Sequence, residues 1–433
     1  MSRLLLVVGA GLTLVVHAPC QTTPAAPLSV SFDDALKRAQ ANSLQLLSAE
    51  IATKLAREGR VQAKSAMLPS VSMLNQFIYT QPNGSESGVF VSNDGTHIYN
   101  HQAVVHGEIF SPVRRAEYRM SIAAEAVAQA RAEIAARGLR VAVTESFYGL
   151  VSAQRRNANA RQGLTEAEQF LGITQKQESG GEVAHADVVK AQVQTEQRRR
   201  DAQEAELAME KARVGLAVLI FPDFRQDFTV VDDLEPAPPL PPLNDVRTSA
   251  GKNNPDIRAA QETVRQETYG IKAARAEWLP TLSFGYFFGI NARQFAIRDP
   301  ENLRNLGSSA MAELTIPVFN WGATRSRVRQ AELRLQQAQA ELTLAQRELL
   351  ANLRAFYLEA DSAGMQLASL RRSADLAAES VRLTLLGYQA GEATVLEVVD
   401  AQAILIQARN AADDGLLRYR LALANLQTLT GAF

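Results

Sequence analysis

Two stretches of the chain, about 210 residues apart, carry the same landmarks in the same order, and this duplication is the strongest constraint on the fold. The offset between corresponding residues stays between 209 and 211. A long unit repeated in this way is typical of proteins that place similar units side by side, rather than of compact enzymes. The corresponding residues are Asn42 and Asn253, Leu68-Pro69 and Leu279-Pro280, Phe147-Tyr148 and Phe356-Tyr357, and Gly181-Glu182 and Gly391-Glu392.

The N-terminus has the pattern of a secretory signal. Arg3 precedes an apolar run at residues 4–16, which small and polar residues follow. Residues 1–26 are therefore predicted to be a signal peptide. Cys20 is the only cysteine in the chain, which excludes an intramolecular disulfide. Its position just after the apolar run makes Cys20 a candidate for lipidation, with cleavage at another nearby residue as the alternative.

Composition excludes some partners and favours long helices. A net charge of −1 gives no reason to expect nucleic acid as a partner. Aromatic residues make up only 6% of the chain, and long tracts are rich in alanine, glutamine, arginine, glutamate and leucine. That composition is typical of helices in coiled-coil contact.

The apolar run in the leader is shorter than the roughly 20 residues of a spanning helix, and no other stretch approaches that length. Any membrane crossing is therefore expected to use β-strands.

The first repeat is predicted to cover residues 27–222 and to begin with a helix and a β-hairpin. The helix is expected to run from Ser31, a suitable N-cap, to Met67, just before a Leu-Pro stop. Residues 71–110 are predicted to form the hairpin, because two β-prone runs flank a polar loop with Asn-Gly and Asp-Gly turn signals.

The second repeat, residues 243–433, is predicted to have the same plan. A helix from residue 243 to Trp278 precedes a hairpin at residues 281–319. Between the repeats, residues 223–242 contain five prolines and are predicted to be a stiff, extended linker at the equator of the molecule. This linker would join two similar halves.

Each repeat is predicted to end in a long helical hairpin. The first covers residues 112–221 with its tip near residue 180, and the second covers residues 322–430 with its tip near residue 391. The longer helix of each hairpin would be about 100 Å long at the usual helix rise. A coiled-coil seam is also indicated, because apolar residues recur every seven positions in the second rod: Val328, Leu335, Leu342, Leu349 and Phe356.

The hairpin strands are suited to a membrane but too few to close a barrel. Residues 281–291 alternate, with one apolar face and one mostly small or polar face. Each strand has about the ten residues that a tilted transmembrane strand needs. An open sheet in lipid would leave edge N–H and C=O groups unpaired, so other copies of the chain are expected to complete the barrel. Because about 12 strands or more leave a lumen, at least a trimer is expected.

These features resemble the TolC-type outer membrane efflux proteins, also called outer membrane factors. The resemblance covers nearly the whole chain after the leader. It is most specific at the two tips, GEVAHADV at residues 181–188 and GYQAGEATVLEVVDA at residues 387–401. The resemblance implies a fold that is mainly α with transmembrane β, in which a trimeric, 12-stranded β-barrel continues into a long periplasmic α-helical coiled-coil barrel.

The resemblance also implies a function and a set of partners. The protein would be the outer-membrane exit duct of a tripartite efflux or type I secretion system, without enzymatic activity and without a cofactor. Its partners would be two further copies of itself, outer membrane lipid, a periplasmic adaptor, and an inner-membrane pump of the RND, ABC or MFS type. It would lie in the cell outer membrane with a large periplasmic portion.

Residues at the tips are expected to form a gate. By resemblance, Tyr388 bonds to Asp187 on the neighbouring hairpin, while Ala393 replaces an arginine that completes this latch in the family. Glu397 and Asp400 match two acidic positions that form rings at the constriction. Their i, i+3 spacing independently places them on one helix face, where threefold symmetry would bring them toward the axis and favour cations.

The tip turns themselves are expected to dock the adaptor. These residues are Gly180, Gly181, Gly391 and Glu392. A simpler interpretation remains open for the glycines, which could serve only to reverse the chain. The acidic pair could likewise be only a solvated face near a helix end.

Two broader alternatives remain. The hairpins could pack their apolar faces on helices of the same chain, which would make the protein an exported coiled-coil scaffold or adaptor without a pore. An exported hydrolase is not indicated, because no nucleophile is paired with a base. No metal site is expected either, since His97, His101 and His106 do not share one strand face with a carboxylate.

Overall fold

The computed structural model describes residues 28–81, 96–235 and 238–431. The predicted signal peptide, including Cys20, lies outside the described residues, as does most of the loop of the first hairpin. None of the described helices is both long and apolar enough to cross a membrane.

The helices are α1 (Phe32–Asn42), α2 (Leu44–Ser65), α3 (Pro112–Ser179), α4 (His185–Ile220), α5 (Leu243–Asn253), α6 (Pro255–Ala276), α7 (Ala323–Gln389) and α8 (Val395–Thr430). The strands are β1 (Leu28–Val30), β2 (Ser70–Tyr79), β3 (His97–Phe110), β4 (Phe228–Val230), β5 (Thr281–Ala292) and β6 (Leu306–Thr315).

The first helix of each repeat is broken, which corrects the prediction of single helices. Between α1 and α2, Ser43 adopts an extended conformation, and its side chain accepts a hydrogen bond from the N–H of Leu46. Between α5 and α6, Asn254 is the N-cap of α6, and its side-chain oxygen accepts a hydrogen bond from the N–H of Ile257. Pro255 takes the first helical position. An N-cap in the β region forces a bend, because its backbone leaves the helical path.

Both hairpins join one antiparallel sheet in the order β2-β3-β5-β6. The central pair aligns Ala103 with Phe288 and Val105 with Tyr286, so the two repeats meet along β3 and β5. Strand β3 begins four residues earlier than predicted, because His97 pairs with Tyr79. Strand β6 begins at Leu306 and ends at Thr315, two residues before a proline that has no N–H for the ladder. The sheet is open, with β2 and β6 at its edges.

The sheet has one apolar and one polar face, as the strand register shows. Partners across the ladder lie on the same face, which places Val71, Val105 and Tyr286 together. Along that face Val71 is 75% exposed, Phe288 50% and Leu314 58%, so the helices α1 to α8 leave it uncovered. The opposite face carries His106, Glu108, Ser283 and Glu313. The alternative in which the hairpins pack their apolar faces on helices is therefore wrong.

Below the sheet, the helices form a layer with the same lateral order as the strands. In the half nearer the sheet the neighbours are α2, α3, α6 and α7, and in the half nearer the tips they are α4, α3, α8 and α7. The long helices α3 and α7 run through both halves with 68 and 67 residues, each about 100 Å by helix rise. The predicted duplicated unit of helix, hairpin and long helical hairpin is confirmed.

Corresponding asparagines connect the two halves of each repeat. The Asn42 amide nitrogen donates to the carbonyl of Ile220 at the end of α4, over 2.9 Å. In the second repeat, Asn253 donates to the carbonyl of Thr430 at the end of α8, over 3.4 Å. The last carbonyls of a helix have no partner inside it, so each amide satisfies one of them. This contact accounts for the duplication of these asparagines.

The proline-rich linker is not only an extended spacer, which corrects the prediction. Its strand β4 pairs in parallel with β1, aligning Phe228 with Leu28. Beyond β4, Asp232 binds the Arg155 guanidinium on α3 at 2.6 Å, and Arg420 on α8 donates to the carbonyl of Asp233 at 2.7 Å. The described part of the linker is thus bound to the middle of the helical layer.

Arg137 joins α3 to the ends of two helices from the second repeat. It is 6% exposed, and its guanidinium donates to the carbonyls of Thr428 and Asn253 and to the Glu133 carboxylate, at 2.5 to 2.9 Å.

Arg137→Met should lower the free energy of unfolding by about 3 kcal/mol, because buried carbonyls lose a charged donor. The thermal unfolding midpoint in detergent measures the loss. Arg131→Met, at an exposed position of the same helix, is the control, and equal midpoints for the two variants would contradict the prediction.

Candidate functional site

The two tips have the same turn geometry. At the first tip Gly181 adopts φ +77°, and at the second Gly391 adopts φ +78°. In each turn the residue after this glycine donates its N–H to a carbonyl five residues earlier, from Glu182 to Gln177 and from Glu392 to Gly387. This is the Schellman arrangement, which favours glycine at the left-handed position. Both glycines are thus required for chain reversal, and a docking role for them stays a prediction.

Beneath the turns, an apolar cluster holds the two helical hairpins together. Tyr388 on α7 is 4% exposed and packs edge-on against Phe170 on α3, with ring centroids 5.0 Å apart. Its hydroxyl donates to the Thr174 hydroxyl, 3.3 Å away. Val398 on α8 is fully buried beside them. The cluster therefore joins α3, α7 and α8, and α4 adds Ala191.

The predicted bond between Tyr388 and Asp187 is wrong for this structure. Asp187 instead accepts from Lys190 one turn along α4, at 3.1 Å. Lys190 neutralises the carboxylate locally, whereas the buried tyrosine hydroxyl finds its partner on α3. Nearby, His185 lies within hydrogen-bond distance of Glu178, 2.7 Å away. The polar contacts of Asp187 and His185 are therefore local to the first tip.

Ala393 contributes to packing at the position where the resemblance expects an arginine. It is partly buried against the tip cluster, and its N–H donates to the carbonyl of Gly387 at 3.2 Å. A methyl group here adds no charge to the tip. The tips in this conformation are joined by apolar packing and one hydroxyl pair rather than by a charged latch.

Glu397 has a structural contact that the sequence interpretation missed. Its carboxylate accepts from the N–H of Thr394 at 2.6 Å, while the Thr394 hydroxyl accepts from the N–H of Glu397 at 3.4 Å. These reciprocal bonds form a capping box, for which Thr-x-x-Glu before an apolar run was the available sequence signal. Hydrogen bonds from Thr394 keep the pKa of the exposed Glu397 carboxyl below its ordinary value. Asp400, one turn along α8, is also exposed.

Removing this cap should loosen the start of α8 in a pH-dependent way. Because the pKa of Glu397 is lower in the folded protein, its stabilising effect is present above the ordinary carboxyl pKa and is lost as pH falls through the lowered value. Thr394→Ala is expected to speed amide exchange in the first turn of α8 about fivefold at neutral pH. Acidification should shrink the difference. A difference that grows on acidification would contradict this cap.

Other tip residues could not be anticipated from the sequence. Phe170 and Thr174 lie near the C-terminal end of α3, more than 200 residues before Tyr388, and no local pattern connects them to it. The structure brings Tyr388 together with these two residues. It leaves Glu397 and Asp400 exposed on α8, apart from that cluster. Among the described residues, no group of three or more histidine, cysteine, aspartate or glutamate side chains could hold a metal ion.

Comparison with known proteins identifies the family. Residues 35–220 and 246–432 match the family described as outer membrane efflux protein. AprF of Pseudomonas aeruginosa, an alkaline protease secretion protein, is 25% identical over 323 residues, which are 72% of this chain and 66% of AprF. This chain therefore spans just under two-thirds of the length of AprF. OpmQ of the same organism, a pyoverdine export outer membrane protein, is 25% identical over 417 residues, covering 93% of this chain and 84% of OpmQ.

A solved structure supports the same assignment of the fold. The CmeC outer membrane channel of Campylobacter jejuni superposes with a TM-score of 0.80 at 17% identity, covering 92% of this chain and 85% of CmeC. The predicted family resemblance and the predicted fold class are confirmed, and the family and fold are those of channels. The chain therefore belongs to the outer membrane efflux protein family and is an outer membrane protein.

Proposed function

We propose that three copies of this chain form the outer-membrane exit duct of an efflux or secretion system. The observation that carries the proposal is the open four-stranded sheet, whose apolar face none of the described helices covers. Its edge strands leave N–H and C=O groups unpaired, which lipid does not satisfy. Pairing β6 of one copy with β2 of the next would satisfy them, and three copies would close a barrel of about 12 strands with a lumen.

The helical layer supports the same ring. Its edge helix α7 exposes Leu344 and Leu358, and the opposite edge exposes Leu55 on α2 and Val193 on α4. These four side chains are between 55% and 67% exposed in the single chain. When two different edges of neighbouring copies meet, they form a heterologous interface. Such an interface closes into a ring when the rotation between copies is a whole fraction of a turn. Burial of these rows would extend the barrel into a helical tunnel.

The proposed duct is passive and performs no catalysis. Cargo would enter from a periplasmic adaptor docked on the tip turns, and an inner-membrane pump of the RND, ABC or MFS type would supply the energy. Relatives named for protease secretion and for pyoverdine export suggest that cargo choice lies largely outside the duct. Gly180, Gly181, Gly391 and Glu392 form the surface that we assign to the adaptor.

Mass and conductance test the proposal together. A particle extracted in detergent should have three times the protein mass of one chain without its predicted signal peptide, and should conduct ions in planar bilayers. A particle with the mass of one chain, or recovery in the soluble periplasmic fraction, would contradict the duct. That result would instead favour an exported coiled-coil scaffold or adaptor without a pore.

The acidic pair on α8 gives a separate prediction for the constriction. Glu397 and Asp400 are both exposed, and threefold symmetry would place three copies of each near the axis. Carboxylate rings attract divalent cations, so Glu397→Gln with Asp400→Asn should weaken block by such ions about tenfold. Thr394→Ala is a useful control, because it removes the cap but keeps both carboxylates. Unchanged block in the double variant would place the carboxylates away from the axis.

A further inference from the structure

A basic and aromatic cavity lies between α3 and α6, directly beyond the ends of β3 and β5. Its volume is about 670 Å³. Two arginines from successive turns of α3, Arg115 and Arg119, form one wall. Tyr269 and Lys272 of α6 form the opposite wall, and Trp278 lies near the strand ends. The cavity does not overlap the tips, which lie at the other end of α3.

The cations of this cavity lack acidic partners. Among the described residues, Arg115, Arg119 and Lys272 form no ion pair, and no carboxylate lines the cavity. Arg115 lies over the Phe110 ring at 5.8 Å, and Lys272 lies over the Tyr269 ring at 4.9 Å. Contacts with aromatic rings orient these cations but leave their charge uncompensated. The walls therefore present a concentrated positive charge.

One further cation at the rim is already neutralised. Arg275 is bound to Glu332 of α7, with 2.9 Å between nitrogen and oxygen. On the polar side of the same strand ends, Arg114 is likewise compensated by Glu108 and Glu117. The cavity cations therefore differ from Arg114 and Arg275, two neighbouring arginines whose charge is compensated.

The cavity opens on the apolar side of the sheet. Phe110, at its upper end, pairs with Leu282 in the ladder and so lies on the same face as Phe284. Leu279, also in the lining, is 49% exposed, and Trp278 is 55% exposed. Apolar surface thus continues without interruption from the sheet into the basic cavity. Tryptophan and tyrosine are favoured at the level where hydrocarbon meets lipid headgroups.

We propose that this cavity binds the phosphate headgroup of an anionic phospholipid from the periplasmic leaflet of the outer membrane. The site rests on the proposed function, because it requires the sheet to span that membrane. Three cations attract the headgroup, and the adjoining apolar face accepts the acyl chains. A free phosphate ion would use only the cations. The position between α3 and α6 is away from the edges where copies meet, so each copy in the ring keeps its own site.

Native mass spectrometry of the full chain tests the site. The protein is exchanged into mixed micelles with phosphatidylglycerol and phosphatidylethanolamine, and the lipids retained on the trimer are counted. Wild type should retain phosphatidylglycerol preferentially. The triple variant Arg115→Gln, Arg119→Gln, Lys272→Gln should retain about tenfold less. The single variant Arg119→Gln, at an exposed position, should show a partial loss, so the test does not depend on the triple variant folding.

A matched control removes the same charge elsewhere. Arg131, Lys211 and Arg372 are exposed on helices away from the sheet, and their joint replacement by glutamine should leave lipid retention unchanged. Millimolar inorganic phosphate should not displace the lipid, and displacement would identify a site for soluble phosphate instead. Equal retention of both lipids, or full retention by the triple variant, would overturn the proposal. The bilayer conductance of the wild type distinguishes the two proposals. If the wild type conducts but does not retain phosphatidylglycerol preferentially, the lipid site is wrong and the duct stands.

Discussion

Tyr388→Ala is expected to raise the resting conductance of the reconstituted protein about tenfold, because it weakens the packing that holds the two tips together. Tyr388 is 4% exposed and packs on Phe170, so its removal leaves a cavity that costs about 3–5 kcal/mol. Because the cluster joins α3, α7 and α8, its loss should free the two tips to separate. Single-channel current in planar bilayers without adaptor measures the effect.

Graded variants at the same tip separate packing from hydrogen bonding. Tyr388→Phe removes only the bond to Thr174, worth about 1 kcal/mol, and should raise conductance much less than alanine does. Asp187→Ala should have little effect, because Asp187 is paired with Lys190 rather than with Tyr388. An increase for Asp187→Ala as large as that for Tyr388→Ala would show that a charged latch, not the apolar cluster, keeps the tips together.

Phe147→Ala is expected to destabilise the middle of the molecule by about 3–5 kcal/mol. Phe147 is fully buried, and its ring contacts Phe32 and Tyr148 edge-on, with centroids 5.6 and 5.4 Å apart. This cluster also receives Phe228 from the linker strand, so its loss weakens the contact between α3 and the linker. The thermal unfolding midpoint and the yield of folded protein in the membrane fraction measure the effect.

The second repeat supplies a matched control for this prediction. Phe356 corresponds to Phe147 in the duplication, but it is only half-buried and packs at the edge of its cluster. Phe356→Ala should therefore cost less than Phe147→Ala. Equal losses would mean that contacts between copies bury Phe356 as completely as the single chain buries Phe147.

The elements that sequence analysis predicted correctly are those with local causes. Gly181 and Gly391 mark reversals because the left-handed backbone conformation disfavours side chains. Ser111 and Pro112 mark the start of α3 because a cap and a proline suit only the first turn. Alternating apolar residues in β5 predict a two-faced strand in the same way. Each of these signals acts within a few residues.

Errors arose where distant segments decide the outcome. The linker prolines predicted a stiff, extended spacer. Contacts of the linker with Arg155 and Arg420 bind it to α3 and α8 instead. The partner of Tyr388 was assigned to the first tip, but burial directs its hydroxyl to Thr174. No pattern within one segment can report such pairings.

The amino-acid sequence by itself determined the duplicated plan, the two-faced strands and the positions of both turns, since these follow from backbone preferences and from periodicity. Only the tertiary structure decided that β3 and β5 join the repeats, that the apolar face stays uncovered, and that apolar packing holds the tips. Such contacts depend on which surfaces meet after the chain has folded. Residues more than 200 positions apart, such as Thr174 and Tyr388, have no shared local signal.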